Sequence, residues 1–520
     1  MTFKSLLPCA AAAFLFHPSL QAGDAGTAEH VVLIVWDGLR PDMVNASNTP
    51  ILEQLRQGGT FFSRHHAAYP STTEVNGTAL ATGMYPANSG IVGNREFRPK
   101  INPAESSATE AEKSVRAGDE AGGGKYLSTP TIYETLQAAG FSTLVAGTKP
   151  VALLPDRSPN RTSGAAAKSV NVFAGKSLPE NLLPGLEVAF GKFPEKPSFP
   201  DVPQNQWTVD VLLNELWKTG VPKLTLLWLS DPDFTQHDTQ PGSEKALASL
   251  RENDRMLGLV LESLKAKGIR DKTDVLLVSD HGFSTIDQSV DFVSMLNEAG
   301  LRATKKFSAQ PETGEILVVG NGGSVFFYIV GHDSGTLNRM VDCLQKSRQC
   351  GVIFSSAGQQ GTFPLSAAHI NSPEAPDAVV SMLWNDSPNA SGVKGLITAN
   401  TALLKKPGKG MHGSLSPYDM HNTLIANGPD FRAGFVDELP SGNTDVAPTV
   451  LWILGVPPAQ KMDGRILGES LTNYRLPVPI PVENVLRGAS DETGWQQYLK
   501  TTSVGGTEYL DEGNPGSPGG

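Results

Sequence analysis

The chain has 520 residues, 39 % of them hydrophobic and 18 % charged. Those are globular proportions, and the length allows one large α/β domain or two ordinary ones. A formal net charge of −11 excludes the basic face that a nucleic-acid binder carries, so no nucleic acid is expected as a partner. An anionic small-molecule substrate stays open, because bound metal ions can dominate a local field.

Residues 1–22 read as a secretory signal. Lys4 supplies a positive start, Leu6 to Phe16 an apolar run, and Ala22 a small residue before a cut ahead of Gly23-Asp24. The expected mature chain is exported, periplasmic or secreted. No later run approaches the ~18 continuous apolar residues of a spanning helix, so no membrane span is expected in it. Cys9 falls inside the signal. Cys343 and Cys350 then remain, a close pair expected to form a small disulfide in an oxidising compartment.

Strands and helices alternate from there. Val31 to Trp36 is wholly apolar, as in a strand buried on both faces of a parallel sheet. A helix follows from Thr49 to Gly58, with Pro50 at its first position and Gly58 as its stop. Further strand signals are Ser142 to Ala146, Leu224 to Leu229 and Val275 to Val278; helical patterns are Thr131 to Ala139, Trp207 to Trp217 and Ser243 to Lys265. The alternation predicts an α/β fold, a doubly wound and mostly parallel sheet with helices on both faces. This catalytic domain is expected over 23–475. Within it, 285–410 differs in character and reads as an inserted cap-like subdomain. Residues 476–520 form a Pro/Gly-rich C-terminal tail, expected to be disordered or loosely draped.

In open parallel sheets, ligands bind beyond the carboxyl ends of the strands. Asp37 follows the first strand; Asp231, Asp233 and His237 follow Leu224 to Leu229; Asp280-His281-Gly282 follows Val275 to Ser279. His412 sits in the glycine-rich loop after Lys409-Gly410-Met411. Each alone reads more readily as a turn former, cap or surface residue. Together they supply the Asp and His set that a pair of zinc ions prefers, and two metals about 4 Å apart can clamp an in-line displacement at phosphorus. A hydroxyl nucleophile could come from Ser71-Thr72-Thr73, which leads into a small-residue helix from Gly77 to Thr82. Helix starts favour phosphate, although Ser and Thr there are also ordinary caps.

These segments resemble the type I phosphodiesterase/nucleotide pyrophosphatase group of the alkaline phosphatase superfamily. The matching stretches are Val35-Trp36-Asp37-Gly38, Tyr69 to Thr73, Ala81 to Pro86, Ser89 to Asn94, Asp233 to His237, Ser279 to Gly282 and Met411-His412-Gly413. The resemblance implies an alkaline phosphatase-like fold and two divalent metal ions, most simply zinc. It implies that Asp37, Thr73, Asp280 and His281 surround one metal, and that Asp233, His237 and His412 hold the other. Thr73 would be the phosphorylated nucleophile and Asn94 the amide donor to a phosphate oxygen. His421 in Tyr418-Asp419-Met420-His421 rivals His412, which matches the family's His-Gly pair.

Two departures bear on the substrate, a small phosphate ester. Glu74-Val75-Asn76-Gly77 replaces the family's Phe-Pro-Asn-His, leaving Glu74 to repel a polyanionic leaving group or to face solvent. Lys149, in Gly147-Thr148-Lys149-Pro150-Val151, stands where related phosphomonoesterases and phosphonate hydrolases carry a cationic pair, but the partner position is Val151. Phosphodiester or pyrophosphate hydrolysis is therefore expected; a monoesterase or phosphonate hydrolase using Lys149 as a substrate ligand is the alternative. A non-catalytic phosphate-binding protein is the reading outside enzymes. A sulfatase is disfavoured, because Thr73 is followed by Glu-Val-Asn.

Overall fold

The computed structural model describes residues 25–400 and 406–518; the expected signal, with Cys9, lies outside them. Nine strands build the central sheet. They are β1 (His30–Trp36), β2 (Thr60–Phe62), β3 (Thr143–Gly147), β4 (Val170–Phe173), β5 (Lys176–Leu178), β6 (Leu224–Leu229), β7 (Thr273–Val278), β8 (Leu424–Asn427) and β9 (Phe435–Asp437). Their spatial order is β9-β2-β8-β7-β1-β6-β3-β4-β5. β7, β1, β6, β3 and β4 run parallel, while β8 is antiparallel to both of its neighbours.

The period of two along a strand explains the apolar run of β1. Val31, Leu33 and Val35 face one core, covered by helices α2 (Thr73–Thr82) and α5 (Asn443–Ile453). Val32, Ile34 and Trp36 face the other, covered by α1 (Pro50–Gln57) and α4 (Glu244–Ala266). Each such side chain contributes about 1.5–3 kcal/mol by leaving water, so both faces need a helical cover. The short α3 (Asp233–Asp238) lies between β6 and α4.

The segment read as an insertion builds two further sheets. One has six strands, spanning Arg302–Thr304 to Ala378–Met382 in sequence, with helices Phe292–Glu298 and Ser334–Lys346 on one face. The other has four strands, pairing Ser284–Val290 with Lys394–Asn400 and Gly410–Met411.

Two expectations are corrected here. The C-terminal region is not a loose tail: Val482–Ser490, Trp495–Val504 and Thr507–Pro515 form an antiparallel sheet. Leu499 and Leu510 are buried against the six-stranded sheet beside Val352 and Phe354. Turn-rich composition hid these strands, since their apolar residues find cover on surfaces remote in sequence, Leu499 and Leu510 on the subdomain and Tyr509 on His66. Cys343 and Cys350 are free thiols. Cys350 packs in an apolar core, and burial pushes its thiol up to about 12; a thiol so protonated is a poor nucleophile for disulfide formation.

Candidate active site

The carboxyl ends of β1, β6 and β7 converge as the strand order requires, because β1 lies between the other two. β1 delivers Asp37, and Gly38 turns the chain away at φ 73°, where a Cβ would meet the Phe283 ring at 2.9 Å. Beyond β6, α3 carries Asp233 and His237 four residues apart, so both fall on one helix face. β7 delivers Asp280 and His281. His412 arrives from Gly410–Met411, which pairs with Ser284–Val290 just beyond His281.

Three of these histidines share one constraint. Nδ1 of His237 donates to the Gly410 carbonyl at 3.0 Å, that of His281 to Gly282 at 2.8 Å, and that of His412 to Ser71 at 2.8 Å. With Nδ1 tied to a carbonyl, Nε2 is the ring atom that each has left for a metal ion, the arrangement of metal-bound imidazoles. The Nε2 atoms of His237 and His412 lie 3.2 and 3.4 Å from Asp233 Oδ1. His281 Nε2 lies 3.2 Å from Asp280 Oδ2 and 3.5 Å from Asp37 Oδ1. Those three carboxylate oxygens are buried and, among the described residues, accept no hydrogen bond. Orphaned buried carboxylate oxygens facing imidazole nitrogens are unstable in apolar surroundings and are resolved by cations.

The donor set therefore fits two divalent ions. Ligand atoms of Asp37, Asp280 and His281 lie within 4.8 Å of one another, as do those of Asp233, His281 and His412. His281 stands between the groups, its ring stacked on His412 at 3.6 Å. His237 completes the second group through Asp233. His421 is elsewhere, beside His66, with ring centroids 4.6 Å apart. Asp231 accepts from the Asp201 and Thr235 backbones and serves as a local cap.

The electrostatics show the same excess of negative charge. Burial, then Asp280, pushes the Asp37 carboxyl well above the usual range. Burial opposes ionisation of Asp233 too, but Lys149, His237 and His412 hold it well below that range. Burial would lower His281, yet Asp280 and Asp37 raise it to about 9.

Lys149, the expected substrate ligand, lies against two of the candidate metal ligands. Its Nζ bridges Asp37 Oδ2 at 2.8 Å and Asp233 Oδ2 at 2.9 Å, and Trp228 Nε1 adds a bond to Asp37 Oδ2 at 2.9 Å. The outer oxygens are thus tied and the inner ones left free. Nothing in the sequence points to Trp228, which lies within an apolar run.

Thr73 is the first residue of α2, and the hydroxyl of Thr72 before it makes no capping bond. Thr73 Oγ1 instead lies 3.2 Å from His281 Nε2, so the ordinary-cap reading does not hold for it. Asn94 Oδ1 accepts from the Glu74 backbone N–H at 3.2 Å, which leaves both amide hydrogens to donate. Glu74 does not face solvent; it is 4 % exposed, and burial, then Glu110, pushes its carboxyl well above the usual range. Among nearby aromatics, Phe62 and Tyr69 pack in cores and Phe61 lies under Arg56, whereas Phe234 borders the site.

Two openings flank His237. One, about 190 Å3, is lined by Thr72, Asn94, Arg95, Asn321 and His412; the other, about 370 Å3, by Phe199, Phe234, Lys406 and Lys409. Arg95 and Asn321 carry no motif; only the approach of the six-stranded sheet brings Asn321 here, where its side chain binds the Arg95 backbone.

Known proteins share this fold. Murine ectonucleotide pyrophosphatase/phosphodiesterase 5 superposes with a TM-score of 0.59 at 18 % identity, covering 85 % of this chain and 100 % of that one. An inactive variant of it in complex with AMP gives 0.58. A venom phosphodiesterase of Naja atra is 24 % identical over 262 residues, 49 % of this chain and 26 % of that protein. Human ectonucleotide pyrophosphatase/phosphodiesterase family member 1 is 25 % identical over 257 residues, 48 % and 23 %. The aligned region thus spans about a quarter of these curated relatives. The family model for type I phosphodiesterase/nucleotide pyrophosphatase matches residues 31–384, most of the described chain, and the chain belongs to that family.

Proposed function

We propose that the protein hydrolyses phosphodiester or pyrophosphate bonds of nucleotide-like substrates through a phosphothreonine at Thr73. The observation that carries this is the Thr73 hydroxyl, freed from capping and set against His281 beside the orphaned carboxylate oxygens. Asp37, Asp280 and His281, with Thr73, would hold one divalent ion, and Asp233, His237 and His412 the other. Zinc suits this donor set, and when bound the pair would supply Lewis-acid stabilisation and ease deprotonation of hydroxyl and water.

The chain's own residues do the rest. The helix start orients Thr73 Oγ1 toward phosphorus and favours the anionic phosphoryl group. Oγ1 forms the new P–O bond as the ester oxygen departs; water then attacks phosphorus in line and frees Thr73. The Asn94 amide, fixed through Oδ1, donates to a non-bridging oxygen where charge gathers. Phe199 and Phe234 offer aromatic faces for a leaving group, and Lys406 and Lys409 positive charge. The AMP bound by the murine relative is the kind of group such walls suit. The monoesterase alternative loses its support, since Lys149 is held between Asp37 and Asp233.

The test compares bis(p-nitrophenyl) phosphate with p-nitrophenyl phosphate, with added zinc and after chelation. A zinc-dependent preference for the diester is expected; a preference for the monoester would return Lys149 to the substrate. We also propose export, on the pattern of residues 1–22; N-terminal sequencing of the released protein should begin at Gly23.

A further inference from the structure

A second histidine cluster lies apart from the catalytic one, where the C-terminal sheet meets the core. His66 comes from the two-residue strand His65–His66, which pairs with Ser441–Gly442. His421 follows the short helix Pro417–Met420, and its backbone bridges that of His66. Asp511 comes from the last strand, Thr507–Pro515.

The outer atoms of this cluster are tied as in a ligand set. His66 is buried, at 1 % exposure, and its Nδ1 donates to the Ser441 carbonyl at 3.0 Å. Its Nε2 is hydrogen-bonded to Asp511 Oδ1 at 2.8 Å, a contact that a bound cation would replace. Asp511 Oδ2 is held by the Thr502 hydroxyl at 2.8 Å. Among the described residues, the His421 ring has no hydrogen-bond partner. One donor atom from each of the three residues lies within 4.8 Å of the others. Arg64 is the competing cation. Its Nη2 is 3.9 Å from Asp511 Oδ1 and 3.5 Å from Glu483 on the exposed edge, so it can neutralise Glu483 without entering the cluster.

We propose that His66, His421 and Asp511 bind a divalent cation of the zinc class, separate from the catalytic pair. Two neutral imidazoles and one carboxylate are a zinc donor set, with the fourth position left to water. Each of the two partners, Ser441 and Thr502, fixes one ligand from outside, as outer-shell groups do at metal sites. The ion would staple the last strand to the segment behind the catalytic loop. In that segment the Asp419 and Tyr418 carbonyls accept from Gly282 and Phe283, next to His281. A ligand bound only by the folded state stabilises it, so the expected role is structural.

The test is zinc content by mass spectrometry on the full chain, after zinc loading and desalting. His421→Gln breaks no protein hydrogen bond and should bind one zinc fewer per chain than the wild type. It should keep bis(p-nitrophenyl) phosphate turnover within about twofold, and zinc should raise its melting temperature less than that of the wild type. Asp511→Asn, checked for folding by gel filtration, should lose the same single ion and stands in if His421→Gln does not fold. Because the readout is a difference of one ion, it holds whatever the catalytic site contains. An unchanged zinc count in the folded variants would overturn the proposal.

Discussion

Both ends of the central sheet bury carboxylates, and they treat them differently. At the amino end of β7, Asp274 sits against Asp430. Asp430 accepts from the Thr27 and Ala28 backbones and from the Thr27 hydroxyl. Burial, then Asp430, pushes Asp274 up to about 8, so this pair settles its charge by keeping a proton. At the carboxyl end, Asp37, Asp233 and Asp280 leave one oxygen each without a donor, around a free hydroxyl. The amino end also leaves an oxygen, Asp274 Oδ2, without a donor, but fills that place with the proton and serves folding. The other leaves its acids unsatisfied and so is equipped to take up cations and substrate. The teaching is that acid residues become a site when the fold withholds their partners and places a nucleophile beside them.

The contrast can be broken at either end. Thr73→Ala should lower turnover by at least about a thousandfold, as loss of a nucleophile does, while zinc content stays the same. If turnover survives, Thr73 is not the nucleophile and the carboxyl end loses its chemistry. Lys149→Met removes the bridge between Asp37 and Asp233. In the zinc-free protein, breaking such a buried pair should cost on the order of 3–5 kcal/mol in denaturant unfolding, and turnover of diester and monoester should fall by similar factors. A selective loss of the monoester would instead mark Lys149 as a substrate ligand. Asn94→Ala should cost roughly a hundredfold or more in kcat, the scale of one oxyanion donor, with zinc content unchanged; an effect confined to KM would remove Asn94 from transition-state stabilisation.

A pH effect marks the amino end. The folded pKa of Asp274 is raised above its unfolded value, so the folded state holds the extra proton. That contribution is fully present below about pH 4 and is lost as pH rises to about 8. Stability should fall across this window, by at most about 1.4 kcal/mol per pH unit. Asp274→Asn should flatten the slope in urea unfolding; an unchanged slope would mean that the pair does not hold the proton.

Much of the site was legible because it is local. Apolar runs of strand length ending in Asp37, Asp233 or Asp280 mark strand ends, and strand ends of a parallel sheet gather on one edge whatever the loops do. Period-two burial made β1 readable as a strand covered on both faces. The residue types at those ends pointed to a set of metal-ligating side chains, and the motif around Thr73 to a hydroxyl at a helix start.

What tertiary structure alone decided depends on pairings remote in sequence. Of two histidines nine positions apart, His412 enters the site because Gly410–Met411 pairs beside His281, and His421 bridges to His66 instead. The packing of β3 beside β6, and β6 beside β1, sets Lys149 between two carboxylates far from it in sequence. The C-terminal strands gain cover from the six-stranded sheet and from His66 of the core, and Cys350 stays a thiol because a core closes around it. Spacing and residue type report what a segment will form; they do not report which distant surface will bury it, and that burial assigns each of these side chains its task.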